Sequence, residues 1–107
     1  MDLNEFQRLS TRTLPQGSTF NRLSNYAMGL SGEAGEVTDE LKKVIYHGHD
    51  LNIDKLEKEL GDVLHYVSGL ATLLDLSLSD VAEKNIEKLK ARYPNGFSEK
   101  DSRNRKI

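Results

Sequence analysis

The sequence predicts an all-α fold, a four-helix bundle, on three observations. Apolar residues recur at spacings of three and four through most of the chain, which is the period of a helix with one buried face. No strand-like alternation occurs. The two prolines, Pro15 and Pro94, both stand near the ends of helical stretches. With 107 residues there is room for one compact domain, placed at residues 1–97. The polar stretch 98–107 (SEKDSRNRKI) is expected to be a flexible tail.

The elements follow in order. Asp2 and Glu5 make a capping pair that opens a first helix running to about Arg12. Leu14 to Ser18 is then a loop. A second helix is predicted from about Asn21 to Tyr46, with Leu30, Ala34, Val37, Leu41 and Val44 forming its core-facing stripe. His47-Gly48-His49-Asp50 breaks that helix, since glycine is favoured just past a helix end. The third helix is placed from near Asp54, with Glu57 as its reciprocal cap. It carries Leu56, Leu60, Val63, Val67, Leu70 and Leu74 on one side. Ser77 or Ser79 caps a fourth helix containing Val81, Ile86 and Leu89, which ends at Tyr93-Pro94-Asn95-Gly96. The short links favour antiparallel neighbours.

Composition narrows the function. The absence of cysteine excludes disulfides and thiolate metal sites and fits a reducing cytoplasm, the expected location. No run of about 18 apolar residues exists, so no membrane span is expected. The opening MDLNEFQRLS is polar and acidic, unlike a signal peptide. A formal charge of −2 argues against binding a nucleic-acid polymer. A domain this small buries a modest fraction of its surface, and oligomerisation is a common remedy.

The informative feature is a local echo. Leu30-Ser31-Gly32-Glu33-Ala34-Gly35-Glu36-Val37 matches Leu56-Glu57-Lys58-Glu59-Leu60-Gly61-Asp62-Val63 in the pattern Leu-x-x-Glu-x-Gly-acid-Val. Residues three apart share a helix face, so each acid pair can converge. Apolar residues three before and four after Glu33 and Glu59 place both at the edge of the core stripe. A glycine inside a helix costs about 1 kcal/mol relative to alanine, so Gly35 and Gly61 are expected to serve close approach of backbones. Four carboxylates brought together repel, and an all-oxygen set suits a hard divalent cation, Mg²⁺ or, as a substitute, Mn²⁺. The bland alternative, a solvated acidic face, is the usual meaning of one such pair; the repeat and the glycines weigh against it.

Glu-x-x-Glu (Glu33, Glu36), a spacer, and Glu-x-x-Asp (Glu59, Asp62) resemble the signature of the MazG-like all-α nucleoside triphosphate pyrophosphohydrolases. The likeness spans roughly residues 3 to 97 and includes Asn85-x-x-Lys88-x-x-x-Arg92-Tyr93-Pro94. It implies hydrolysis of a (deoxy)nucleoside triphosphate to monophosphate and pyrophosphate, with Glu33, Glu36, Glu59 and Asp62 as catalytic residues and metal ligands. We expect all four acids to be ligands and rank Glu33 last among them. The likeness implies a phosphate-gripping role for Asn85 and Lys88, with Arg92 beside them on one face of the fourth helix. A domain this small has a thin core and its acidic cleft needs a roof, so we expect a homodimer or dimer of dimers in which a helix or tail of one subunit closes the other's site.

Other polar residues allow two readings each. Tyr66, four residues after Asp62, either bounds the nucleotide or packs in the core. Lys42 and Lys43 either neutralise phosphate or favour the helix C-terminus through its dipole. His47 and His49 are too close in sequence for a good chelate. Three rivals stand beside the main reading. A non-catalytic helical interaction module explains the stripes but not the glycines. A di-iron bundle wants two Glu-x-x-His motifs, and only Asp62-x-x-His65 is offered. A phosphohydrolase acting on a damaged or signalling nucleotide would use the same site.

Overall fold

Among the described residues the elements are five α-helices and one 3₁₀ turn: α1 (Leu3–Ser10), the turn Thr11–Thr13, α2 (Thr19–His47), α3 (Ile53–Leu73), α4 (Leu78–Arg92) and α5 (Glu99–Arg103). The structure, a computed structural model, describes residues 1–105, and no strand occurs among them. Local chemistry sets the helix starts. Each N-cap side chain accepts a hydrogen bond from the backbone N–H three residues on: Asp2 for α1, Ser18 for α2, Asn52 for α3, Ser77 for α4 and Ser98 for α5. Gly48 ends α2 in the left-handed region, at φ 71°.

Two expectations need correction here. The cap of α3 is Asn52, not Asp54. Asn52 keeps an extended backbone and reaches the Lys55 N–H at 3.0 Å, whereas Asp54 already lies in the first turn and pairs with Lys58 at 3.1 Å. Part of the expected tail is ordered as α5, because Ser98 caps it and Glu99 and Asp101 occupy its first turn, where their charge favours the dipole. The last two residues of that predicted tail lie outside the described residues.

A single antiparallel register joins α2 to α3. Tyr26 of α2 lies over Gly69 of α3, and Tyr66 of α3 lies over Gly29 of α2; a Cβ at either glycine would overlap the opposing ring. The two tyrosine rings meet edge-on with centroids 5.0 Å apart, a preferred aromatic geometry. The alternating steps of three and four continue from there. Glu33 comes level with Asp62, Glu36 with Glu59, and Glu40 with Lys55, whose ammonium lies 2.7 Å from the Glu40 carboxylate.

The expected core stripes therefore sit one position off the true seam. Leu41 is 40% exposed, Leu60 56% and Leu74 54%. Gly35 and Gly61 are corrected likewise: a Cβ at either would meet nothing within 4 Å. The close approach is served by Gly29 and Gly69, because bulky rings stand opposite those two.

α1 is tied on by polar contacts. The Gln7 side chain accepts from the Leu78 N–H at 2.7 Å and donates to the Leu76 carbonyl at 2.8 Å, pinning α1 to the α3–α4 turn. His65 meets Ser10 Oγ at 2.7 Å through Nδ1 and Thr13 Oγ1 at 3.1 Å through Nε2. The core is thin: among the described residues, Tyr26, Ala71 and Leu78 are its buried hydrophobic members. The accessible surface is 7996 Å², whereas a compact monomer of this mass exposes about 6,000 Å². The radius of gyration is 16.7 Å against about 13 Å for a compact domain of this length.

Candidate metal centre

The α2–α3 register brings the acidic echo together. Glu33, Glu59 and Asp62 each offer a carboxylate oxygen, and the three oxygens lie within 4.8 Å of one another. Glu33 and Glu59 are half-buried and Asp62 is exposed. Glu36, exposed and one level nearer the α2–α3 loop, stands outside this tight group. Glu33 is thus a member of the tight group, where it hydrogen-bonds with Glu59, and Glu36 is not.

The cluster carries an electrostatic signature. Burial lifts the Glu33 carboxyl above its ordinary value of 4.5, and the neighbouring charges of Asp62, Glu59 and Glu36 lift it further, as does a hydrogen bond with Glu59. Close carboxylates on two helices, one of them resisting ionisation, have the donor chemistry of a hard-cation site. A stability consequence follows. A raised folded-state pKa means that the folded chain holds the Glu33 proton more tightly than the unfolded chain does. Its contribution is fully present below about pH 4.5 and is lost as pH rises through the folded value. Thermal melts of metal-free protein should lose this contribution above pH 4.5, and Glu33→Gln should flatten that part of the profile. An unchanged profile in the variant would contradict this electrostatic picture.

The remaining candidates are distributed around the cluster. Lys43 is engaged by Asp39 at 3.0 Å, which lies 3.9 Å from Lys42; this bond raises the Lys43 pKa and lowers that of Asp39. Tyr66 packs on Gly29 and against the Tyr26 and His65 rings, in the α2–α3 register next to the Glu33–Asp62 level. Asn85 and Lys88 line a groove of about 590 Å³ floored by Leu3, Leu64, Leu78 and Val81. None of the four carboxylates lines that groove. Arg92 is the last residue of α4. Within one chain, then, the acids converge and the α4 residues form a separate face. Sequence reasoning missed Lys55 and Glu40, although their positions continue the same three-four spacing past Glu59 and Glu36.

Fold and site together define an all-α domain with a cluster of carboxylates on its central helix pair. Comparison with known proteins identifies the class more closely. Residues 21–97 match the model of the MazG nucleotide pyrophosphohydrolase domain, and the chain belongs to that family. α1 precedes the matched segment. The chain is also similar to the "Gene 37 protein" of Mycobacterium phage L5, 41% identical over 87 residues that cover 78% of this chain and 76% of the relative. No solved structure matches it. No helix among the described residues is long and apolar enough to cross a membrane.

Proposed function

We propose that this protein hydrolyses (deoxy)nucleoside triphosphates between the α and β phosphates, releasing monophosphate and pyrophosphate, as a cleanser of the nucleotide pool. The observation that carries the reading is the convergence of Glu33, Glu59 and Asp62 oxygens within 4.8 Å in a chain of the MazG family. These three would hold Mg²⁺, or Mn²⁺ in its place, with Glu36 completing the set from the next level of the seam. When bound, the ion supplies charge neutralisation for the phosphates and lowers the pKa of the attacking water. A carboxylate of the cluster accepts that water's proton. Asn85, Lys88 and Arg92 grip the polyphosphate, Arg as a fork and Lys as a point charge. Tyr66 bounds the substrate on the inner side, and Lys43 adds positive charge at the loop end. A substrate drawn from the nucleotide pool places the reaction in the cytoplasm.

The working unit is a homodimer or dimer of dimers. Phe20, Met28, Ile45, Tyr46 and Phe97 are each more than two-thirds exposed. The excess of accessible surface noted above, about 2,000 Å² on each chain, is the size of one side of a large, obligate interface. A helix or tail of one subunit closes the neighbour's acidic cleft, and the Asn85–Lys88 face of α4 is suited to that task.

The test is incubation with a panel of (d)NTPs, with and without Mg²⁺, resolving the products by chromatography. Metal-dependent monophosphate plus pyrophosphate is expected. Diphosphate plus orthophosphate would refute α–β cleavage while keeping a metal phosphohydrolase. No turnover by folded protein would leave the helical interaction module as the better reading. Light scattering on the same sample should give the mass of two or four copies, and a concentration-independent monomer would remove the assembly.

A further inference from the structure

The acidic seam has a built-in cation. From the aromatic lock outward, its levels run Tyr26–Gly69, Gly29–Tyr66, Glu33–Asp62, Glu36–Glu59 and Glu40–Lys55. Glu40 is four residues past Glu36 and shares its face of α2, so by position it is a fifth carboxylate pointing along the same cleft. Lys55 is four residues before Glu59 and holds Glu40 at 2.7 Å. Most ordinary surface pairs contribute little, and Arg8–Glu5, Lys42–Asp39, Lys43–Asp39 and Lys58–Asp54 are of that kind, each within one helix. The Lys55–Glu40 pair differs in two respects. It bridges α2 and α3, and the Glu40 side chain is only 19% exposed, so its carboxylate has little water to fall back on. Among the described residues, Lys55 also feels Glu59 and Glu36 as further favourable charges, behind its bond to Glu40.

We propose that Lys55 is a positioning residue which keeps Glu40 out of the metal-ligand set and sets the affinity of the cleft for divalent ions. The inference rests on the metal reading above. At the Glu40 level the ammonium does what a divalent ion does at the Glu33–Asp62 level: it compensates carboxylates pressed together by the helix register. Its charge also opposes the approach of a metal one or two turns away. Removing it liberates Glu40 and takes away one unit of repulsion.

The experiment is calorimetric titration of the full chain with Mg²⁺ alone, and with Mn²⁺ alone, beside thermal melts of the metal-free protein. Lys55→Met should bind the ion about tenfold more tightly, the effect of one unit charge removed from the neighbourhood of a divalent ion at solvent-screened distances. Its metal-free melting temperature should fall, and saturating Mg²⁺ should restore it. The double variant K55M/E40Q, lacking both charges, should return towards wild-type affinity and recover metal-free stability. Wild-type binding with no change in Lys55→Met overturns this inference and leaves the metal reading intact. A lowered melting temperature at unchanged affinity also overturns it, making the pair a plain interhelical bridge. No binding of either ion by wild type or by Lys55→Met defeats the metal reading itself and this inference with it.

Discussion

Gly69→Ala should cost the protein a large share of its stability, and Gly29→Ala should come close behind. A methyl group at Gly69 overlaps the ring of Tyr26, and one at Gly29 overlaps the ring of Tyr66. Neither ring has an easy retreat. Tyr26 is 4% exposed, with its hydroxyl 3.3 Å from the Thr13 carbonyl, and Tyr66 is wedged against Tyr26 and His65. Overpacking a core costs about 1–3 kcal/mol, occasionally more. A small domain has little to lose, since folded proteins are stable by only about 5–15 kcal/mol. The same substitution at Gly35 or Gly61 should have the opposite sign. There a Cβ meets nothing within 4 Å, and better helix propensity adds up to about 1 kcal/mol. Thermal melts followed by helical circular dichroism check all four variants. Gly69→Ala melting at the wild-type temperature would refute the ring-on-glycine lock. A destabilised Gly61→Ala would mean that a second copy or another partner fills the space seen open in one chain.

Asp62→Ala should abolish turnover, by more than about a thousandfold, while leaving the helices intact. The carboxylate is one of three whose oxygens share a 4.8 Å neighbourhood, and a cation held by the remaining pair would be both weaker and displaced from the phosphates it must neutralise. Removing a negative charge from a cluster that already raises the Glu33 pKa also relieves repulsion. Metal-free Asp62→Ala is therefore expected to melt no lower than wild type at neutral pH, and higher if repulsion dominates. Calorimetry with Mg²⁺ should show weakened binding alongside the lost activity. Full activity in this variant would remove Asp62 from the site; loss of helical dichroism would make its role structural.

Glu33 and Glu36 show how far the acidic motif could be read in advance. Their spacing, and that of Glu59 and Asp62, identified two converging pairs, because residues three apart must share a helix face whatever surrounds them. Which acids would form the tight group could not be read that way. It depends on how far α3 slides along α2, and the tyrosine–glycine contacts set that slide. The apolar stripe of α2 was legible as a stripe, but its burial was not. Leu41 remains 40% exposed because the face turned to α3 is the neighbouring one.

The sequence by itself determined four of the five described helices, the caps at Asp2 and at the start of α4, the break at Gly48 and the membership of four acids in one motif. All of these depend on interactions within a few residues, where chain connectivity leaves little choice. The tertiary structure decided which glycines are crowded and which are open, which acids meet, and that Lys55 closes the seam against Glu40. A glycine or a carboxylate takes its meaning from the group across from it. That group lies tens of residues away in the chain and is chosen by the packing of whole helices, not by local preference.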